Sequence, residues 1–191
     1  MRWLVLSTCF LFGLVGQASG DGPAADNWPK TVEDLATALR DSDPGALLPV
    51  LSDDASINMF DSKNGDAVRL LARTRKGNLI GTFNFVHAPE AMASDIAEIM
   101  KTAEVPEELK HRMGMHDAAH ARRANRTAVT WLSEALGAKA GDKIGVLIFW
   151  CDKPAAGDPE LIFILVKGDP EAQFTKVKTI CFGNPMPRPN K

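Results

Sequence analysis

The chain has 191 residues, and its 22 lysines and arginines against 24 aspartates and glutamates give a formal net charge of −2 at pH 7. A chain this close to neutrality, with no basic stripe, lacks the electrostatic footprint of a nucleic-acid-binding domain. Its length is sufficient to bury the hydrophobic core of one ordinary domain. The composition therefore favours one globular domain that does not bind nucleic acid.

Residues 1–20 have the pattern of a secretory signal peptide. Arg2 precedes an apolar run over residues 3–15, and small residues at the end of the segment suit cleavage after Gly20. The apolar run is shorter than the ~20 residues that a transmembrane helix needs, so an uncleaved membrane anchor is the less favoured alternative. The sequence predicts a secreted or periplasmic protein with no membrane span after cleavage.

The rest of the chain divides into a leader, one domain and a tail. Residues 21–30 are rich in glycine, proline, aspartate and asparagine, so we expect a flexible leader there. Residues 31–183 carry helix and strand patterns without a repeat or a linker, which predicts a single α+β domain. Three prolines in residues 184–191 predict an extended tail.

Two helices are predicted at the start of the domain. Thr31 and Asp34 form a capping-box pattern ahead of apolar residues at helical spacing, which predicts a helix to about Arg40. Asp43 and Pro44 have the pattern of a second helix start.

The middle of the domain alternates between strands and helices. The predicted elements are a strand over 55–60, a helix over 66–75 capped by Asp66, a strand over 79–86, and helices over 91–103, after Pro106, and over 116–136 with an end at Gly137. In the strand over 79–86, Leu79, Phe83 and Phe85 are expected to share one face.

Three strands, over 143–151, 161–167 and 174–182, end the domain. The first two are apolar on both faces, which predicts central positions in the sheet. The third carries Lys176 and Lys178 on one face, which is typical of an edge strand. Together these patterns predict a curved, mostly antiparallel sheet of about five strands, with a helical insertion between the second and third strands.

Two cysteines, Cys151 and Cys181, follow the signal peptide. If the last three strands form a meander, these residues lie level on its two outer strands, roughly 9 to 10 Å apart. Because a disulfide joins Cα atoms at most about 7 Å apart, we expect two buried thiols rather than a bridge.

Residues 34–60, DLATALRDSDPGALLPVLSDDASINMF, resemble the opening of NTF2-like and SnoaL-like domains. In that pattern two helices lead through an acidic pair, here Asp53 and Asp54, into the first strand. The last three strands also resemble the curved antiparallel sheet of the family, whereas the helices over 89–137 are an addition to it. The resemblance implies a cone-like α+β fold around a pocket that different members use for ligand binding, dimerisation or acid-base catalysis, and fold alone selects none of these.

The clearest chemical motif is His116-Asp117-Ala118-Ala119-His120. Two histidines four residues apart lie one helical turn above each other and can bind one metal ion, as in zinc metalloproteases. Asp117 stands where those enzymes have glutamate, and Glu134 lies too far along the helix to complete the site. A zinc site at His116 and His120 is therefore the less favoured interpretation, and we predict no cofactor.

The favoured interpretation turns both imidazoles towards the sheet. The series of every fourth residue from His120 is apolar and predicts the buried stripe of the helix: Ala124, Ala128, Leu132 and Leu136. The two histidines then either satisfy buried carbonyl groups or line a pocket, and the predicted binding residues are His116, Asp117 and His120.

The sequence contains no nucleophile elbow, no Walker A loop and no dinucleotide-binding motif. A binding module for a small hydrophobic or polar ligand, or for a partner, is therefore favoured over an enzyme. One alternative is a pocket enzyme in which His116 or His120 acts as general base with Asp117 beside it. Another is a homodimer formed through the sheet face around Phe83 and Phe85.

Overall fold

The computed structural model describes residues 26–59, 65–75, 77–88, 136–151 and 161–183, together with residues 91, 92, 95, 107 and 134. Within these ranges the helices are α1 (Trp28–Arg40), α2 (Pro44–Val50) and α3 (Ala67–Thr74). The strands are β1 (Leu51–Met59), β2 (Asn78–Val86), β3 (Lys143–Trp150), β4 (Leu161–Gly168) and β5 (Val177–Gly183). The predicted α+β fold is confirmed, with a five-stranded sheet.

Helix α1 starts at Trp28, so the predicted boundary between a flexible leader and the domain at residue 30 is wrong. Proline in the first helical turn is compatible with this start, because the N–H that it lacks has no partner within the helix. Trp28 is only 2% exposed, and its ring packs so closely on Gly168 that an added Cβ there would lie 3.1 Å from it. The core thus requires a residue that the composition assigned to the leader.

The predicted capping box of α1 is also wrong. Thr31 lies inside the helix, and the N-cap residue is Asn27. The Thr31 hydroxyl lies 3.1 Å from the carbonyl oxygen of Asn27 and donates to the carbonyl oxygen of Phe174 at 2.8 Å. This residue therefore fastens α1 to the turn between β4 and β5.

The predicted caps of the next two helices are confirmed. The Asp43 carboxylate accepts the backbone N–H of Gly45 at 2.8 Å, in the first turn of α2. The Asp66 carboxylate accepts the backbone N–H of Arg69 at 2.7 Å at the start of α3. Such bonds satisfy N–H groups that have no partner within the helix.

The strand order in the sheet is β1-β5-β4-β3-β2. Strands β5, β4, β3 and β2 are antiparallel to their neighbours along this series, whereas β1 pairs with β5 in parallel. The prediction that β3 and β4 are internal strands is confirmed, since their residues are buried on both faces.

The prediction that the last strand is an edge strand is wrong, because β1 lies beyond β5. Lys176 and Lys178, on which the edge prediction was based, lie opposite acidic residues of β1 instead. Lys178 Nζ lies 2.7 Å from the Asp54 carboxylate, and Lys176 Nζ lies 3.6 Å from that of Asp53. Opposite charges on the two strands therefore accompany the parallel pairing.

Helices α1, α2 and α3 contribute to the core on the first face of the sheet. We call this group of buried residues the first-face cluster: Trp28, Val32, Leu35, Ala36, Ala38, Leu39, Leu47, Leu51, Leu70, Leu147, Phe149, Ile162, Ile164, Val166, Val177, Ile180 and Phe182. A separate group on the opposite side is called the second-face cluster: Met92, Leu136, Ile144, Val146, Ile148, Leu161, Phe163, Leu165 and Cys181. The sheet is thus buried on both sides.

The register of β2 shifts between Leu79 and Gly81. Such a bulge changes which side chains share a face. Leu79 packs against the first-face cluster, whereas Phe83 and Phe85 pack against the second-face cluster. The prediction that all three share one face is therefore wrong for Leu79.

Both cysteines are free and buried, as predicted. The last three strands do form a meander, but the two cysteines are not level in it. Cys181 pairs with Leu165 of β4, whereas Cys151 follows Trp150, whose partner on β4 is Leu161. This stagger adds to the separation that the intervening strand imposes.

The predicted end of the long helix at Gly137 is confirmed. Leu136 is helical, and Gly137 has a φ of 56° while its N–H donates to the carbonyl oxygen of Glu134 at 3.1 Å. A glycine with positive φ is a common helix end. Across the described part of the chain, no helix has the length and apolar character needed to cross a membrane. The predicted signal peptide, the tail and most of the helical insertion lie outside the described residues.

Candidate functional site

The three predicted site residues, His116, Asp117 and His120, lie outside the described residues. Their positions therefore stay predictions. Within the ranges that the structure does describe, histidine, cysteine, aspartate and glutamate side chains form no group of three that could hold a metal ion.

The described residues that flank the motif lie on one side of the sheet. Met92, which precedes it, is 1% exposed, and Leu136, which follows it, is 3% exposed. Both belong to the second-face cluster, in which they pack with residues of β3, β4 and β5. The described residues on either side of the motif thus both pack on the second face of the sheet.

Polar groups gather around Gly137, which directly follows Leu136. Lys167 Nζ, at the end of β4, donates to the carbonyl oxygen of Gly137 at 3.3 Å and lies 3.8 Å from the Asp142 carboxylate. A cation at the last carbonyl groups of a helix is favourable because these groups carry partial negative charge. The helix end at Gly137 is therefore held to the sheet by a polar contact as well as by apolar packing.

The burial of Leu136 does not by itself orient the two imidazoles. Residues four apart in an α-helix are displaced by about 40° around the axis, since each residue turns about 100°. His120 precedes Leu136 by four such steps, which together amount to about 160° in a straight helix. The predicted stripe therefore cannot remain on one side of a straight helix over its full length.

A thiol belongs to the second-face cluster, but it is poorly suited to nucleophilic catalysis. Cys181 is fully buried, and burial raises the pKa of its thiol to about 12. Because the thiolate is the reactive form, this residue is expected to be inert at neutral pH.

A buried carboxylate that the sequence did not single out lies beside the start of β1. Asp169 is 5% exposed; its Oδ2 accepts the hydroxyl of Ser52 and its Oδ1 accepts the backbone N–H of Glu171 at 3.0 Å. The Ser52 hydrogen bond is the main cause that holds the pKa of Asp169 below 3.8, and burial opposes it.

This arrangement makes Asp169 an anchor rather than a general base. A carboxylate with a lowered pKa has little tendency to take a proton at neutral pH. Its bonds instead connect the turn after β4 to the start of β1. Sequence reasoning assigned a turn to this region, but nothing local pointed to Ser52 as the partner.

A second group of contacts lies on the first-face side of the turn between β4 and β5. Lys143 Nζ lies 2.5 Å from the Asp26 carboxylate and 4.7 Å from the centroid of the Phe174 ring. The cation therefore joins the residues before α1 to the turn between β4 and β5, which again is a structural role.

Comparisons of this chain with protein-family models, with curated proteins and with solved structures find no match. The chain has an α+β fold with an open mixed sheet.

Proposed function

We propose that this protein is an exported binding module whose ligand site lies between the second face of the sheet and the segment that carries His116, Asp117 and His120. The observation that carries the proposal is that Met92 and Leu136 both pack in the second-face cluster. The site would combine the partly exposed apolar residues at the margin of that cluster, such as Phe83, Phe85 and Trp150, with a few polar groups, which is the usual composition of a small-molecule pocket.

The resemblance to NTF2-like domains supports the same proposal. Two helices precede β1, and β3, β4 and β5 follow one another as antiparallel neighbours, as expected from the resemblance, whereas Asp53 and Asp54 lie within β1 rather than ahead of it. An NTF2-like pocket would be enclosed by the sheet and its helices. The ligand in this proposal is small and contains an apolar part, because strand residues on the second face are apolar.

The proposal requires the chain to change direction between the motif and Leu136. In a straight helix His120 would point about 160° away from Leu136 and hence away from the sheet. A bend or break between them would allow both to face it. The direction in which the two imidazole rings point therefore decides whether the proposal holds.

The ligand site is tested with 1-anilinonaphthalene-8-sulfonate, a fluorescent anion with an apolar ring system. We expect saturable binding to the folded protein and weaker binding by the double variant His116→Ala, His120→Ala. The matched control is Glu33→Ala, Thr37→Ala, which changes two exposed positions of α1 on the first face. Absence of saturable binding, or equal binding by both double variants, contradicts the proposal.

A zinc titration by calorimetry separates this proposal from a metal site. We expect no zinc-dependent heat that the His116→Ala, His120→Ala substitutions remove. Heat that is present in the unmodified protein and lost in this variant would establish a metal site in place of the proposed ligand site.

Export is the second part of the proposal, and it rests on the signal-peptide pattern of residues 1–20. Removal of these residues would leave Asp26 and Trp28, the first residues with described contacts, in place. Mass spectrometry of the protein recovered from outside the cytosol should give a chain that begins at Asp21. Recovery of the full-length chain from the cytosol would contradict export.

A further inference from the structure

The two edges of the sheet differ in charge. At one edge, β1 carries Asp53 and Asp54, whose side chains are 104% and 71% exposed. At the other edge, β2 has nine residues, NLIGTFNFV, with no charged residue and no proline. The strand order gives β2 a neighbour on one side only within the described sheet.

An edge strand presents N–H and C=O groups that can pair with another strand. Natural proteins usually block such pairing with charges, prolines or bulges, or by keeping the strand short. β1 has its two aspartates, whereas among the described residues the only such device at β2 is the register shift between Leu79 and Gly81. Beyond that shift, β2 pairs regularly with β3 as far as Val86.

The faces of the sheet are less available than this edge. The residues of β3 and β4 that belong to the two clusters are at most 3% exposed. Phe83 and Phe85, on which a face-to-face dimer was predicted to depend, are only partly exposed and pack against the second-face cluster. By contrast Asn84 is exposed, and Val86 is 63% exposed.

We propose that β2 pairs with β2 of a second copy of this chain, antiparallel, about a two-fold axis perpendicular to the sheet. This symmetry keeps Phe83 and Phe85 of both copies on the same side and joins the two sheets into one. Every residue that faces its counterpart across the axis is uncharged, so no like charges meet in any register. A two-fold axis also closes the assembly, because each copy has one such edge.

The second copy is the favoured occupant because of what β2 lacks. A strand without charged side chains has nothing to select a charged partner, whereas a two-fold pair satisfies the edge groups of both strands at once. The aspartates of β1 would oppose one another if the other edge paired with itself, and like charges directly opposite are destabilising.

The test variant is Asn84→Lys, Val86→Lys, because lysine on an edge strand opposes pairing and both positions are exposed. The matched control is Leu48→Lys, Val68→Lys, which places the same two charges at positions that are 66% and 75% exposed on α2 and α3. Circular dichroism of each variant establishes that it is folded before association is measured.

Sedimentation velocity over a wide range of concentration should show a dimer for the unmodified protein and for the control. The edge variant should dissociate with a dissociation constant raised by about tenfold or more, a change equivalent to about 1.4 kcal/mol. Hydrogen exchange should show amides of β2 that lose protection in the edge variant while those of β3 keep it. A monomer at every concentration, or equal dissociation of both variants, overturns the proposal.

Discussion

Substitution of Gly145 by alanine tests how α1 is packed on the first face of the sheet. Gly145 lies on β3, and an added Cβ would lie 2.7 Å from Cγ2 of Val32 and 2.7 Å from Cγ2 of Val166. Ordinary carbon contacts are about 3.5 to 4.0 Å. Val32 and Val166 are fully buried, so neither methyl group has free space into which it can move.

The expected loss of stability combines two opposing effects. Extra methyl groups in a packed core cost about 1 to 3 kcal/mol, and contact with two buried valines places this case in the upper part of that range. Replacing a strand glycine by alanine returns about 0.5 to 1 kcal/mol of backbone entropy. We therefore expect Gly145→Ala to lower the free energy of unfolding by about 1 to 2 kcal/mol.

The assay is urea denaturation of Gly145→Ala, of Val32→Ala and of the double variant. Val32→Ala removes the methyl groups that the new Cβ would contact, so the double variant should be more stable than the sum of the single changes predicts, by about 1 kcal/mol. Strict additivity, or a Gly145→Ala variant as stable as the unmodified protein, would refute the close packing of α1 on β3.

Three further predictions concern Asp169, Trp28 and Cys181. Asp169→Asn should cost about 1 to 3 kcal/mol at neutral pH. A lowered folded-state pKa stabilises fully above the ordinary value of 3.8 and less as pH falls through the folded-state value, so the difference in urea midpoint should shrink in acid. Trp28→Ala should lower the free energy of unfolding by about 3 to 5 kcal/mol in the same assay, whereas an unstructured leader would make it neutral. Cys181 should react with a thiol reagent only as fast as the protein unfolds; rapid labelling of the folded protein would contradict its burial.

Local signals predicted the helix starts that depend on neighbouring residues. Asp43 and Asp66 were found from the sequence because a cap needs only an acceptor and the next few N–H groups. Trp28 was missed because its burial depends on Gly168, far along the chain. Its local setting, next to a proline and an asparagine, resembles a leader.

Pairing between distant strands was the least predictable part of the sheet. The internal positions of β3 and β4 followed from their apolar composition, whereas the parallel pair of β1 and β5 joins the first strand to the last. The aspartates of β1 and the lysines at the start of β5, Lys176 just before it and Lys178 within it, carried a signal of this pairing, since they form ion pairs across it. The two aspartates were instead interpreted as part of a family pattern and the two lysines as the solvent-exposed face of an edge strand.

The candidate site was predicted from spacing, and spacing alone was insufficient. A series of every fourth residue is a reliable guide to one helix face over a turn or two, because its drift is then small. Over the distance from His120 to Leu136 the drift reaches about 160° in a straight helix. The burial of Leu136 in the second-face cluster therefore fixes the side of the sheet on which the helix ends. It does not fix the direction in which the imidazole rings point.

Nuclear Overhauser contacts from the imidazole ring protons of His116 and His120 test the proposed site most directly. The proposal predicts contacts between these protons and the methyl groups of Val146, Ile148 or Leu165, which belong to the second-face cluster. The proposal would be contradicted if the imidazole rings contact none of these methyl groups and the side chains of the neighbouring arginines contact the methyl groups instead.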